Sequence, residues 1–284
     1  MWARGRGIMF QSTSGNALQV FRFNRAIVRE PPRSVVGGLR TGDRGDPSYD
    51  GIRAEHGAYI GALSAAGVAV TVLPPLEDFP DSMFVEDPAL IFTEGAILLR
   101  PGAPSRVAEA DAIAPTLRGL FDVVIDLPCG FADGGDVLVT PSQVIIGLSA
   151  RTNHAGAEAL AARLAELGRN AMIVRTPAAV LHLKTACSLL DDETVFCTAT
   201  LSATGIFEGF RQVITPEGEE AAANALRVND MVMVGAGFLR TIELLGALGY
   251  AVIPLEALEI GKIDAGLSCL SLRWWDPAAT AASG

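Results

Sequence analysis

The chain has 284 residues, half of them hydrophobic, and a formal net charge of −10. That length can bury a sizeable core in one large domain or two small ones, and the acidic balance disfavours nucleic acid and anionic membranes as partners. Mean hydropathy is +0.35, yet the apolar residues fall in short runs, well below the ~20 that a membrane-spanning helix needs.

In chain order, residues 1–20 carry Arg4 and Arg6 with no apolar run behind them. No secretory signal is read there, and the segment is expected to be a disordered extension. Residues 21–28 predict a strand, 56–66 a helix stopped at Gly67, and 68–73 a second strand. Residues 86–92 and 96–99 predict a strand–turn–strand around Thr93-Glu94-Gly95, followed by a helix over about 108–120. The pattern recurs at 136–139 and 144–146, with a helix over 156–167, and again at 186–190 and 194–197. A further copy has strands at 225–228 and 231–234 and a helix over 239–248, and residues 267–274 predict a closing strand. A unit of strand, tight turn, strand, loop, helix, strand thus recurs about every 45–55 residues, a period typical of propellers and arrays. Five units fit if the last strand pairs with the first and closes the ring, which removes sheet edges. No linker divides the chain, so residues 21–275 are expected to form a single α/β domain, with 276–284 as a flexible tail.

The four cysteines, Cys129, Cys187, Cys197 and Cys269, are scattered without a CxxC pair. In a chain of this length that pattern suggests reduced thiols and a cytoplasmic protein. The three histidines, His56, His154 and His182, form no HExxH and no zinc-like spacing, so neither metal nor organic cofactor is expected.

Two of the repeats match in detail: an acid precedes each strand hairpin and an arginine follows it, Glu86/Asp87 with Arg106 and Asp136 with Arg151. In a pseudo-symmetric ring, equivalent strand starts point at one axis. That would gather Glu86/Asp87, Asp133/Asp136, His182 and Cys269. Each residue also has a plainer reading. A cysteine in an apolar strand is usually a small core residue, and a histidine between leucines is usually a hydrogen-bonded core residue. Asp133-Gly134-Gly135-Asp136 suits a turn. Glu86-Asp87 suits a structural ion pair, although a guanidinium ligand would match those carboxylates equally. Arg106 and Arg151 suit helix starts, and their matched placement also suits a substrate carboxylate.

Six segments in order resemble the motifs of the dimethylarginine dimethylaminohydrolase family: residues 81–87, 100–106, 133–137, 147–153, 181–184 and 268–271. The resemblance covers roughly residues 21–273. It implies the pentein fold, a five-bladed α/β propeller of pseudo-fivefold ββαβ repeats. It also implies hydrolysis of asymmetric dimethylarginine or monomethylarginine to citrulline and an amine, through a covalent thiouronium on cysteine. By motif, Cys269 is implied as nucleophile, His182 as general acid/base and Asp133 as the acid orienting His182. Glu86 and Asp87 are implied to hold the guanidinium, and Arg106 and Arg151 the substrate carboxylate. Asp81, the backbone at Ile263 and a loop at Leu39 would meet the α-amino end. A small-molecule partner is implied, and the fold is compatible with a homodimer. Residues 202–223 carry no family motif. The alternatives that stay open are an arginine deiminase or an amidinotransferase of the same fold, and a non-catalytic binder of arginine analogues.

Overall fold

A computed structural model describes residues 20–281; residues 1–19 of the extension expected over 1–20, and residues 282–284, lie outside the described residues, while Val20 is described and packs against the cluster around Cys187. The chain opens with β1 (Arg25–Arg29), α1 (Tyr49–Ala65) and β2 (Ala69–Leu73). Four copies of one unit follow. The first is β3 (Ala89–Phe92), β4 (Gly95–Leu98), α2 (Glu109–Leu120) and β5 (Val124–Asp126). The second is β6 (Val137–Val139), β7 (Val144–Leu148), α3 (His154–Glu166) and β8 (Ala171–Arg175). The third is β9 (Cys187–Leu189), β10 (Thr194–Cys197), α4 (Ala199–Ser202) and β11 (Arg211–Ile214). The fourth is β12 (Leu226–Val228), β13 (Met231–Gly235), α5 (Leu239–Ala247) and β14 (Ala251–Leu255). The chain ends with α6 (Leu258–Gly261), β15 (Leu272–Trp274) and α7 (Pro277–Ala281).

The strands make five three-stranded sheets of one topology: an inner strand antiparallel to the middle one, and an outer strand parallel to it. The parallel step needs a crossover, which the helices supply. The fifth sheet joins both ends of the chain. β15 pairs antiparallel with β1, Arg25 opposite Trp274, and β2 runs parallel on the other side. The expected closure between first and last strands is therefore present.

Alternation along the strands builds the ring. Successive side chains point to opposite faces, so Ala26 and Val28 of β1 enter one apolar cluster with Leu226, Val228 and Met233, whereas Ile27 enters another with Ala89, Ala96 and Leu98. Leu90 and Phe92 pack with Val137 and Ile146, Leu138 and Ile145 with Cys187 and Val195, and Leu190 and Phe196 with Val232 and Val234. Each sheet thus shares one apolar wedge with each neighbour, and five wedges complete the circle. This is the α/β propeller architecture expected from the repeats.

Two readings differ from the structure. Residues 267–274 are not one strand: Leu267–Leu270 form a 3-10 turn and only Leu272–Trp274 are extended. That turn starts after Gly266, which lies directly against the Asn224 side chain, too close for any Cβ, and Asn224 Oδ1 holds its Ser268 N–H. Ordered structure also continues past residue 275. Asp276 exchanges two hydrogen bonds with Asn24, of 2.7 and 2.8 Å, and α7 follows.

Candidate active site

Every inner strand is entered through a tight turn. Residues 85–88 precede β3, Gly134–Asp136 precede β6, Leu183–Thr185 precede β9, Glu220–Ala223 precede β12 and Leu267–Leu270 precede β15. Asp87, Asp133, His182 and Cys269 lie in or beside four of these turns. The fold therefore collects them at one end of the ring axis.

His182 Nε2 lies 3.0 Å from Asp133 Oδ2, and Asp133 is fully buried. The other carboxylate oxygen accepts the Gly102 N–H at 2.6 Å. The Asp133 N–H donates to Thr152 Oγ1 at 3.1 Å. The acid is thus fixed at both ends and fixes the ring in turn. A Cβ at Gly135 would stand 2.8 Å from His182 Nδ1 and 3.0 Å from Asp87 Oδ1, so glycine alone lets these groups approach. Burial disfavours the imidazolium, but Asp87, the Asp133 hydrogen bond and Asp136 outweigh it and raise His182 to about 9.

Asp136 works one layer behind. Its Oδ1 accepts the Leu183 N–H at 2.9 Å, and its Oδ2 accepts from Ser149 Oγ at 2.6 Å and Thr152 Oγ1 at 2.7 Å. It ties the His182 turn to the loop carrying Arg151. Burial pushes its carboxyl up to about 6 against these partners.

Cys269 is partly buried, and its carbonyl accepts the Glu86 N–H at 3.3 Å. Desolvation pushes the thiol up to about 11, the charges of Glu86 and Asp87 add to this, and Lys184 opposes it. At neutral pH the resting thiol is protonated and faces anionic neighbours, a site that favours an incoming cation.

Glu86 and Asp87 have separate surroundings. Glu86 Oε1 meets Lys184 Nζ at 2.6 Å and Arg273 Nη2 at 3.3 Å, and Oε2 accepts from Ser268 Oγ at 3.0 Å. Both oxygens are engaged. Asp87 accepts the Gly135 N–H at 3.0 Å and pairs with Arg106 Nη1. Burial alone would raise Asp87; Arg106 and His182 hold it below the usual carboxylate range.

Arg106 and Arg151 also differ. Arg106 is buried, with Nε and Nη2 on Glu109 and Nη2 also donating to the Phe84 carbonyl at 2.9 Å. Arg151 is half-buried, and its backbone N–H is held by Ser149 Oγ at 3.0 Å. Its charge acts on Asp81. The matched sequence positions therefore hold one cation locked among carboxylates and one half-buried cation whose charge reaches Asp81.

Asp81 is buried and its Oδ1 accepts the Leu39 N–H at 3.0 Å. Leu39 is exposed and opens a loop latched onto the chain around Ile263. Thr41 N–H donates to Asp264, Arg44 donates to the Gly261 carbonyl at 2.9 Å, and Lys262 Nζ donates to the Asp46 carbonyl at 3.3 Å. Ile263 is buried and precedes Asp264, whose φ of 58° is unusual for a residue with a side chain.

Asp87, Asp133 and His182 bring ligand atoms within 4.8 Å of one another. Each is already engaged, Asp87 by Arg106 and Gly135, and Asp133 and His182 by each other. The set is built to orient an imidazole, and a cation would have to displace these partners.

Sequence reasoning did not assign Glu109, Lys184, Arg273, Asn224 or the pair Ser149/Thr152. Glu109 had a local signal, an acid three residues after Arg106 at the start of a helix. Asn224 Oδ1 accepts the Ser268 N–H at 3.2 Å, and the two residues meet only through the fold.

Residues 73–228 match the family model described as arginine deiminase. The chain is 40% identical over 255 residues to the N(G),N(G)-dimethylarginine dimethylaminohydrolase of Pseudomonas aeruginosa, a match covering 89% of this chain and 100% of that one. It is 34% identical over 261 residues to the protein of the same name from Streptomyces coelicolor, covering 88% and 96%. A solved structure of the Pseudomonas aeruginosa protein, a mutant complexed with citrulline, is similar with a TM-score of 0.86 at 40% identity, covering 89% of this chain and all of that one. The N-terminal domain of a cyanobacterial arginine dihydrolase shares the fold at 19% identity, with a TM-score of 0.78 and coverage of 89% and 98%. With its sheets, its gathered turns and these relatives in agreement, the chain belongs to the dimethylarginine dimethylaminohydrolase family of the pentein superfamily.

Proposed function

We propose that the protein hydrolyses N-omega-methylated arginines, asymmetric dimethylarginine and monomethylarginine, to citrulline and dimethylamine or methylamine. The observation that carries this reading is the fixed His182–Asp133 pair, at 3.0 Å, gathered with Cys269 around the carboxylate of Asp87. The guanidinium carbon is a weak electrophile because its charge is delocalised, so cleavage needs a thiolate and a protonated leaving amine. The substrate cation, set against Asp87, offsets the negative field that keeps Cys269 protonated. As the substrate cation binds, Cys269 loses its proton to solvent; the Sγ thiolate attacks the guanidinium carbon, and protonated His182 delivers a proton to the departing amine. The C–N bond breaks and leaves a thiouronium on Cys269. His182, now neutral, takes a proton from water; the hydroxide adds to the same carbon, the C–S bond breaks as the new hydroxyl gives its proton to the departing sulfur, and citrulline leaves with the Cys269 thiol restored. Asp133 keeps the ring in register through both steps. In this reading Asp87 anchors the guanidinium, Glu86 sets the charge behind Cys269, and Arg151 receives the substrate carboxylate. Arg106 adds its remaining Nη1 hydrogen. Asp81, Leu39 and the Ile263 backbone close around the α-amino end. No step calls for a metal or organic cofactor.

Residues 21–275 as one catalytic domain, a homodimer and a cytoplasmic setting belong to the same proposal; four free thiols suit a reducing compartment. Light scattering on the purified protein tests the dimer. The match to the arginine deiminase model supports a second reading, release of ammonia from unmethylated arginine. One assay separates the two: citrulline from each substrate, with Cys269→Ser as control. Citrulline from the methylated substrates, absent in the variant, is the expected result. Citrulline from arginine alone would move the protein to the deiminases, and full turnover by Cys269→Ser would remove the nucleophile from the account.

A further inference from the structure

The inner strands β3, β6, β9, β12 and β15 surround a cavity of about 450 Å³ on the ring axis, within the usual range of small-molecule sites. Its floor is Glu86, Lys184, Ser268 and Arg273, of which the first three lie within two residues of Asp87, His182 and Cys269 along the chain, so the cavity backs onto the candidate active site. Its far end lies at the exposed turn Thr93-Glu94 and at Trp275, whose carbonyl accepts from Thr93 Oγ1 at 3.0 Å.

Charge along this lining is unbalanced. It holds four cations, Arg169, Lys184, Arg227 and Arg273, and two carboxylates, Glu86 and Glu94. Glu94 is taken by Arg169 at 2.7 Å. At the floor, the single carboxylate of Glu86 faces both Lys184 and Arg273. Three side-chain atoms of this lining, Arg169 Nε, Ser188 Oγ and Arg273 Nε, are buried without a hydrogen-bond partner. Buried positive charge and unpaired donors are costly, and both are relieved by an anion with acceptor oxygens. Above the floor the walls are apolar, with Leu90, Phe92, Leu226 and Trp274 among them, which suits a hydrocarbon body and not a bare inorganic ion.

We propose that this axial cavity is a binding site for a small monocarboxylate with an apolar tail, the carboxylate resting against Lys184 and Arg273 and the tail lying along the inner strands. Occupancy places a second negative charge behind Cys269. Glu86 already disfavours the thiolate and Lys184 favours it, so a carboxylate on Lys184 lowers turnover without occupying the substrate site.

The test is titration of the full-length protein with octanoate, followed by tryptophan fluorescence, since Trp274 and Trp275 line the cavity. Octylamine is the charge control, and a sample alkylated at Cys269 excludes binding in the active site. The expected result is a saturable change with octanoate, kept after alkylation, and at least tenfold weaker in Lys184→Met. Octylamine gives no comparable change. Steady-state kinetics with dimethylarginine should show kcat lowered severalfold and KM unchanged. Should Lys184→Met fail to fold, Ser188→Ala carries the same test, with binding at least threefold weaker. Equal binding of octylamine, competition with substrate, or unchanged affinity in both variants would overturn the site. The fluorescence readout does not need turnover, so failure of the proposed activity and failure of this site are distinguishable.

Discussion

Gly135 separates His182 from Asp87, and the space there is smaller than a methyl group. Gly135→Ala should therefore reduce kcat/KM at least tenfold, by turning the imidazole off its Asp133 bond, while far-UV circular dichroism stays unchanged. Asp133→Asn removes the acid and favours the wrong imidazole tautomer; a loss of about 10²–10⁴ in kcat is the scale seen when an orienting acid is neutralised. The paired shifts of Cys269, to about 11, and His182, to about 9, also set a pH dependence. Thiolate and imidazolium together form a minor state at pH 7 whose share grows as pH rises toward the His182 value. A profile of kcat/KM for a methylated arginine should climb through the neutral range and flatten above pH about 9; a flat profile from pH 6 to 9 would contradict these shifts. At this scale the sequence was most legible for Cys269, His182, Asp133 and Asp87, because acid, imidazole and thiol recur at strand starts. It was least legible for Glu86 and Arg106. Their pairing with Lys184, Arg273 and Glu109 depends on burial, which adjacency to Asp87 or symmetry with Arg151 does not report.

At the level of elements, middle strands such as Val144–Leu148 are almost wholly buried and announce themselves as apolar runs. Outer strands such as Ala171–Arg175 and Arg211–Ile214 are partly exposed and mixed, and apart from Ala69–Leu73 the outer strands lacked a sequence signal of their own. Residues 202–223 were opaque for a related reason: the crossover helix α4 is only Ala199–Ser202, too short to show periodicity. The loop after Leu39 and the segment after α6 hold each other. Glu55 of α1 caps α6 by accepting the Glu259 N–H at 2.7 Å and the Ile260 N–H at 2.9 Å, which fixes the approach to Ile263. Asp264→Ala removes the partner of Thr41 N–H and Arg44. KM for methylarginine should rise severalfold with kcat changed much less, and an unchanged KM would disconnect this latch from substrate binding.

The whole molecule was the scale at which sequence reasoning reached furthest, because a repeated unit constrains a ring more tightly than any single motif. His56 shows what the shared core adds. It is buried on the inner face of α1 and its Nε2 has no partner. Burial lowers it from 6.5 to about 4. Between those values the unfolded chain binds a proton that the native state refuses, so stability is full above pH about 6.5 and falls as pH drops toward 4. The loss is on the order of 3 kcal/mol at about 1.4 kcal/mol per pKa unit. Urea titrations of the wild type and His56→Leu at pH 7 and pH 5 measure it: the variant should lose less stability between the two.

Ring closure by the two ends of the chain also governs when the enzyme exists. β15 follows every other described strand in the chain, and Cys269 lies in the turn that introduces it. A nascent chain can assemble the sheets that present Asp87, Asp133 and His182, while β1 still waits for its antiparallel partner. Until Trp274 reaches Arg25, no turn carries the thiol to the other three groups. Synthesis therefore delivers the carboxylates and the imidazole first and the thiol last of the four, so on the proposed mechanism a chain interrupted before β15 lacks its nucleophile.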